Sequence, residues 1–144
     1  MTCVSHSLPN PPRVLLVEDN PINQIVALEF LNQLGVSTRL ANNGQEALAS
    51  CQTCTPDLVL MDIQMPVMDG LECTRQLRRL QAARDLAPFP ILALTAHMLQ
   101  SDVRASLQAG MDAHLTKPID FGILQQELGR WIRLPGQHGM PPPA

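Results

Sequence analysis

Residues 58–70 read LVLMDIQMPVMDG, an apolar run that stops at the carboxylate of Asp62 and gives way to a turn rich in Pro and Gly. Such a run between turn signals is typical of a short strand buried on both faces, in the middle of a parallel sheet. Open α/β sheets bind ligands at the carboxyl ends of their strands. Because an isolated buried carboxylate is too costly to persist, Asp62 must be solvated, paired or bound to a metal.

Apolar runs and helical patterns alternate along the rest of the chain. This alternation predicts a parallel sheet with helices on both faces and right-handed connections. The expected strands are residues 14–17, 37–40, 58–61, 91–94 and 113–115.

The helix after the first strand begins at Asn20-Pro21, where Asn is an N-cap and Pro takes the first helical position. Gly35 is placed to end it. We expect its buried face to be formed by Ile22, Ile25, Val26 and Phe30. In the helix after Gly70, a solvated outer face is expected for Arg75, Arg78 and Arg79, with a partner-binding role as the alternative.

Composition excludes several classes of protein. The chain has 144 residues, 45% of them hydrophobic, which fits one globular domain. Only 3% are aromatic and the net charge is −3, which argues against binding nucleic acid. The sequence has neither a membrane-length apolar run nor a signal pattern, so we expect a cytoplasmic domain that does not itself contact a membrane, either in a cytoplasmic protein or as the cytoplasmic part of a membrane-anchored one. We predict a folded domain at 13–134, a flexible N-terminal linker at 1–12 and a Pro/Gly-rich tail at 135–144.

Four cysteines, at positions 3, 51, 54 and 73, are expected to be reduced thiols in a chain without a secretion signal. Cys51 and Cys54 form a C-x-x-C pair, but the second pair of ligands that a zinc site needs is missing. A redox motif would open a helix after a strand, whereas this pair closes one. Two ordinary cysteines are the favoured interpretation.

Polar residues follow four of the predicted strands. They are Glu18-Asp19, Asp62, Thr95 and Lys117, and in a parallel sheet they converge at one edge. Crowded carboxylates repel unless a cation lies among them, and hard oxygen ligands favour Mg²⁺. A metal, an ammonium and a hydroxyl suit the oxygens of a phosphoryl group, with Asp62 as a carboxylate nucleophile. The alternative is that each residue merely caps a strand or forms a turn.

The motif set resembles that of response-regulator receiver domains over residues 13–132. It comprises VLLVEDN at 14–20, LMDIQMPVMDG at 60–70, LTA at 94–96 and LTKP at 115–118. The string EDNPINQ at 18–24, together with AHM at 96–98, is most similar to receivers attached to hybrid sensor histidine kinases. The resemblance implies a flavodoxin-like, doubly wound (βα)5 fold with a five-stranded parallel sheet in the order 2-1-3-4-5.

The resemblance also implies roles for the acidic residues. Asp62 would be the phosphoacceptor, taking a phosphoryl group from a partner's phosphohistidine. Asp19 and Asp62 would bind Mg²⁺ directly, Glu18 through water and Gln64 through its backbone carbonyl. The domain would catalyse its own phosphorylation and dephosphorylation.

In the same family the residues matching Thr95 and Lys117 contact the phosphoryl oxygens and move when the group arrives. Met65-Pro66 and Asp69-Gly70 would shape the loop beneath the site, and Lys117-Pro118 matches a step that is often a cis peptide. The switch position of the last strand, commonly Tyr or Phe, is His114 here. It is either a pH-sensitive switch or a strand residue with no such role. Gln64 and His97 occupy positions that tune the lifetime of the acyl phosphate.

The expected partner is a histidine kinase or a histidine phosphotransfer protein, and the domain is expected to be a monomer or weak dimer, either alone or as part of a hybrid kinase. One alternative is a Mg²⁺-dependent phosphatase acting through an aspartyl phosphate, but such enzymes carry D-x-D-x-T and Gln64 cannot act as the general acid. The other is a degenerate receiver that binds partners without phosphorylation.

Overall fold

The computed structural model describes residues 11–63, 69–96 and 100–135, in which five strands alternate with five helices. The strands are β1 (Arg13–Val17), β2 (Ser37–Ala41), β3 (Leu58–Asp62), β4 (Ile91–Thr95) and β5 (Ala113–Thr116). The helices are α1 (Pro21–Gln33), α2 (Gly44–Thr53), α3 (Gly70–Ala82), α4 (Gln100–Ala109) and α5 (Phe121–Trp131). The predicted elements are all present, with ends that differ by one or two residues.

All strand pairs are parallel, and the order across the sheet is β2-β1-β3-β4-β5. This confirms the predicted fold class. All five residues of the central strand β3 are buried, as are those of its neighbour β4. The carboxyl ends of β1, β3, β4 and β5 therefore meet at one edge, where the strand-end residues were expected.

Alternate strand residues pack into two apolar clusters, one on each face of the sheet. One cluster joins Leu16, Leu60 and Leu94 to α1 and α5, whose buried contacts include Leu31 and Leu128. The other cluster joins the opposite face of the sheet to α2 and α3. Its strand members include Val17, Met61 and Ala93, and its helix members include Cys51 and Leu77. Burial on both faces explains why β1, β3 and β4 are nearly continuous apolar runs and not alternating ones.

The predicted buried face of α1 is wrong. Ile22 and Ile25 are 71% and 67% exposed, and Val26 is also exposed. The helix instead buries Ala27 and Leu31 against the sheet, with Phe30 half-buried and in edge contact with Phe121 of α5. Its caps agree with prediction: Asn20 accepts from the first turn, and Gly35 has the positive φ of +80° that favours glycine.

The outer face of α3 is only partly as predicted. Arg75 and Arg79 are exposed, as expected. Arg78 is half-buried and donates hydrogen bonds to two other segments of the chain. Its acceptors are the carbonyl oxygen of Phe89 in the loop before β4, and the carbonyl oxygen of Gly110 and the carboxylate of Asp112 in the loop before β5. The interpretation of Arg78 as part of a solvated face is therefore wrong, because it connects α3 to the loops before β4 and β5.

Cys51 and Cys73 are free and buried, whereas Cys54 is disulfide-bonded. The expectation of four reduced thiols is thus wrong at Cys54, and the C-x-x-C pair is not itself a disulfide because Cys51 is free. Burial raises the pKa of Cys51 to about 12, so its thiol stays protonated at neutral pH.

Most of the predicted linker and tail lies outside the described residues, so the domain boundaries stay a prediction. In the described part of the chain, no helix is both long enough and apolar enough to cross a membrane.

Candidate functional site

The polar strand ends converge on a small cavity of about 230 Å³ at the carboxyl edge of the sheet. Asp62 is the last residue of β3 and Thr95 the last residue of β4, while Glu18 and Lys117 each follow a strand. The lining consists of Glu18, Asp19, Asn20, Asn23, Asp62, Thr95, Ala96 and Lys117. The structure therefore brings together the predicted residues Glu18, Asp19, Asp62, Thr95 and Lys117.

Lys117 lies between two buried carboxylates. Its ammonium nitrogen is 3.0 Å from Glu18 Oε1 and 3.1 Å from Asp62 Oδ2. Glu18 and Asp62 are only 1% and 4% exposed, so their charges depend on this ammonium for much of their neutralisation. The peptide bond between Lys117 and Pro118 is cis, the isomer that the family resemblance suggested.

One ammonium does not balance these acids. Burial raises the pKa of Asp62 to about 6, with the charge of Glu18 adding to the effect and Lys117 opposing it. Burial also acts to lower the pKa of Lys117, but its hydrogen bonds to Glu18 and Asp62 outweigh this and raise the pKa overall. The cluster therefore keeps Lys117 charged and leaves an excess of negative charge, which a cation would neutralise.

Carboxylate oxygens of Glu18, Asp19 and Asp62 all lie within 4.8 Å of one another. Three oxygen donors at this spacing fit a hard divalent cation such as Mg²⁺, which prefers oxygen ligands and keeps several waters. Asp19 is exposed whereas the other two acids are buried, so the group is open to water on one side. Gln64, Met65, Pro66 and His97 lie outside the described residues, and their predicted roles stay predictions.

The loop that carries the acids is held by local hydrogen bonds. Asn20 N–H donates to Glu18 Oε2 at 3.1 Å, and Asn20 Oδ1 accepts from the backbone N–H groups of Ile22 and Asn23. At the end of β3, a Cβ added to Gly70 would collide with the backbone oxygen of Asp62. Only glycine therefore allows α3 to start this close to the end of β3.

His114, the proposed switch residue, lies on β5 with a half-buried side chain. Its Nε2 forms a short contact with the hydroxyl of Ser106 on α4, which also donates to the carbonyl oxygen of Val103 at 2.8 Å. Because Ser has a single hydroxyl proton, the imidazole is the donor in its contact with Ser106. Burial lowers the pKa of His114, which favours the neutral ring. Its switching role stays a prediction.

Sequence reasoning missed three residues of the lining, Asn20, Asn23 and Ala96; Asn20 was predicted only as the N-cap of α1. Asn23 lies three residues after Asn20 on α1, a spacing that places both on one face of the helix, so the helical period was the available signal. Ala96 follows Thr95, and its small side chain leaves the cavity open. A small residue after a strand carries no chemical signal by itself.

A doubly wound parallel sheet with clustered carboxylates, a lysine and a threonine at one edge defines the class of α/β phosphoacceptor domains. The sequence profile of the response regulator receiver domain matches residues 14–129. The chain belongs to this family, and it is a receiver domain of the kind that acts in two-component phosphorelays.

Sensor histidine kinases are among the proteins to which the chain is similar. The chain is 45% identical over 123 residues to the sensor histidine kinase GacS of Pseudomonas protegens, a match that covers 85% of this chain and 13% of GacS. It is 35% identical to histidine kinase 5 of Arabidopsis thaliana, covering 84% of this chain and 16% of that protein. The chain thus spans only a small fraction of these curated relatives.

Two of the solved structures that share the fold carry information about the site. The receiver domain of sensor histidine kinase PA1611 from Pseudomonas aeruginosa, crystallised with a magnesium ion in its active site cleft, is 42% identical with a TM-score of 0.75, covering 84% of this chain and 97% of that one. The second is the co-crystal structure of the Saccharomyces cerevisiae phosphotransfer protein Ypd1 with the receiver domain of Ssk1. It is 36% identical with a TM-score of 0.79, covering 87% and 91%.

Proposed function

We propose that Asp62 accepts a phosphoryl group from a phosphohistidine in a Mg²⁺-dependent reaction. The single observation that carries this is the position of Asp62 at the end of β3, with Lys117 at 3.1 Å and the carboxylates of Glu18 and Asp19 beside it. A carboxylate oxygen forms the bond to phosphorus while the phosphorus–nitrogen bond of the donor breaks, and the electron pair leaves with the imidazole.

The surrounding residues take separate roles in this reaction. Glu18, Asp19 and Asp62 would hold Mg²⁺, as would the backbone carbonyl of Gln64. When bound, the ion supplies positive charge that neutralises the incoming phosphoryl oxygens. Lys117 supplies a second positive charge next to Asp62, and the Thr95 hydroxyl at the end of β4 supplies a hydrogen-bond donor. The magnesium ion in the P. aeruginosa relative supports this reading.

The exposed apolar side of α1 suits a protein donor. Ile22 follows closely on Asn20, which lines the cavity, so the apolar surface of Ile22, Ile25 and Val26 lies beside the acids. A contiguous exposed apolar patch next to a reactive site indicates a docking surface. The yeast complex of a receiver domain with a phosphotransfer protein favours a histidine phosphotransfer domain as the occupant. A hybrid kinase, as in GacS, is the proposed setting of the chain.

The test uses two donors. With Mg²⁺ and acetyl phosphate, intact-mass spectrometry is expected to show one added phosphoryl group in the wild type and none in Asp62→Asn or in excess EDTA. Phosphorylation that persists in Asp62→Asn would refute the proposal.

The second donor is a phosphorylated histidine phosphotransfer protein. Ile25→Lys is expected to slow transfer from it at least about tenfold, while the reaction with acetyl phosphate stays unchanged. Leu107→Lys is the matched control, because Leu107 is a similarly exposed apolar residue on α4. Equal losses in both variants would contradict docking on α1.

A further inference from the structure

Gln24 lies on α1 four residues after Asn20 and is not among the residues that line the cavity. Its side-chain Nε2 donates two hydrogen bonds, one to the backbone oxygen of Glu18 at 2.6 Å and one to Asn42 Oδ1 at 2.8 Å. The side chain is half-buried. It therefore connects the helix to the chain segments that leave β1 and β2.

The first of these bonds acts on the peptide that leads to Asp19. A peptide unit is planar, so the carbonyl oxygen of Glu18 and the Cα of Asp19 move together. The other peptide of Glu18 is already fixed, because Glu18 N–H donates to Ala41 O at 3.0 Å. Gln24 thus fixes the remaining plane, and with it the direction in which Asp19 leaves the sheet.

Asp19 depends on this backbone more than the other two acids do. Lys117 binds both Glu18 and Asp62 directly. Asp19 is exposed, and within the described residues nothing donates a hydrogen bond to its carboxylate. Its position relative to the other acids is therefore set through the main chain.

The second bond fixes Gln24 itself. Asn42 accepts from Gln24 and in turn donates from its backbone N–H and its Nδ2 to Glu46 Oε1, at 2.9 and 3.1 Å. Glu46 belongs to the first turn of α2, where its N–H donates to the capping side chain of Asn43. A chain of hydrogen bonds therefore runs from the start of α2 to the acidic loop.

We propose that Gln24 is a positioning residue for Asp19, which sets the affinity of the acidic cluster for a divalent cation by fixing the peptide between Glu18 and Asp19. This rests on the proposed Mg²⁺ site. Hydrogen-bond partners that orient the ligands of a metal change its affinity about 10- to 100-fold when they are removed. Because Gln24 acts through one of three acids, the effect belongs at the lower end of that range.

The test measures cation binding directly. Gln24→Met keeps the length and helix propensity of the side chain but has no N–H donor. We expect it to bind Mn²⁺ about tenfold more weakly, measured by the EPR signal of the free ion and by competition with Mg²⁺. The rate of phosphorylation by acetyl phosphate should fall at low Mg²⁺ and return to within about twofold of wild type at saturating Mg²⁺. Because Mg²⁺ binding also stabilises the folded domain, the rates are compared at a temperature well below the thermal midpoints of both proteins.

Gln33→Met is the matched control, because Gln33 lies on the same helix and, among the residues that the structure describes, its Nε2 donates only to Glu29, at 3.1 Å. Its Mn²⁺ affinity should equal that of the wild type. Unchanged affinity in Gln24→Met, or equal weakening in both variants, would overturn the inference. If Gln24→Met lowers the thermal midpoint, a second variant is needed. Asn42→Ala removes the acceptor that fixes the Gln24 side chain. Weaker Mn²⁺ binding by Asn42→Ala would support the inference, and unchanged Mn²⁺ binding would overturn it. If the wild type binds no cation, the proposed Mg²⁺ site itself is wrong. If the wild type binds the cation and Gln24→Met binds it equally well, only the role of Gln24 is wrong.

Discussion

The two edges of the sheet each hold a basic side chain among acceptors, but they balance charge differently. At the carboxyl edge, Lys117 faces Glu18 and Asp62, and the exposed Asp19 adds a third acid. At the amino edge, Arg78 forms one ion pair with Asp112 at 2.7 Å and donates its other bonds to neutral oxygens. One cluster keeps an excess of negative charge, and the other is neutral.

This difference separates a site built for stability from one built for chemistry. Asp112 Oδ2 also accepts from Ile91 N–H at 2.8 Å, so the amino-edge cluster ties the start of β4 to the loop before β5. At the carboxyl edge, burial and, to a smaller extent, repulsion from Glu18 raise the pKa of Asp62 to about 6. An unfavourable electrostatic environment of this kind is typical of functional sites, where reactive groups lower the stability of the fold. Opposite effects of substitution at the two edges are therefore expected.

The largest expected effect is at Arg78. Arg78→Met removes four hydrogen bonds and leaves the Asp112 carboxylate and two backbone carbonyls without this donor. We expect the free energy of unfolding to fall by about 3 kcal/mol, measured by urea denaturation. Cation binding per folded molecule should not change, since the cluster is at the far edge of the sheet.

Arg79→Met is the control for Arg78. Arg79 is the adjacent arginine on α3 and is exposed, so its loss should change stability by less than about 0.5 kcal/mol. Similar losses in the two variants would show that Arg78 is an ordinary surface residue and that the contrast between the edges is wrong.

Asp62→Asn should change the free energy of unfolding in the opposite direction, so that the variant is more stable than the wild type. The pKa of Asp62 is raised from 3.8 to about 6 in the folded chain, so the native state binds this proton more tightly than the unfolded chain does. The free energy of unfolding therefore falls as pH rises from about 4 to about 6. At neutral pH the whole cost of keeping Asp62 ionised in the folded chain is present. Removing the charge should stabilise the metal-free domain by about 2 kcal/mol at pH 7.5, and the gain should disappear near pH 4.

The matched substitution at the other edge is Asp112→Asn. Its carboxylate pairs with Arg78 and accepts from Ile91, so its loss should destabilise the domain by about 1 kcal/mol at pH 7.5. Urea denaturation in EDTA measures both variants. Destabilisation by Asp62→Asn would show that the excess charge at the carboxyl edge carries no energetic cost. Adding Mg²⁺ should reduce the advantage of Asp62→Asn, because the wild type gains stability by binding the ion.

The carboxyl edge could be predicted from sequence because each acid interrupts an apolar run, and parallel strands bring those interruptions together. The orientation of α1 could not. Ile22, Ile25 and Val26 repeat at helical spacing, but so do Ala27 and Leu31, and the sequence does not tell which apolar side meets the sheet. Only the packed structure shows that the smaller side is buried.

Arg78 was missed for a related reason. Arg75, Arg78 and Arg79 have the same chemistry and lie on one helix, so their local sequence does not distinguish them. The partners that do so are 11, 32 and 34 residues away, at Phe89, Gly110 and Asp112. The support that Gln24 gives to Glu18 and Asn42 was missed likewise, since the bond to Asn42 joins α1 to the loop after β2, 18 residues further along the chain.

The smallest expected effect is at His114, and its pH dependence should oppose that of Asp62. Burial lowers the pKa of His114, so the unfolded chain takes up this proton first and stability falls as pH drops through the unfolded value of about 6.5. Because the ring is half exposed, the contribution should stay below about 1 kcal/mol. In an Asp62→Asn background, which removes the opposing slope, His114→Gln should flatten the dependence of unfolding free energy on pH between 7.5 and 5.5. His114→Phe should flatten it equally, since neither side chain titrates there, whereas an unchanged slope would show that His114 is not a pH-sensitive link between β5 and α4.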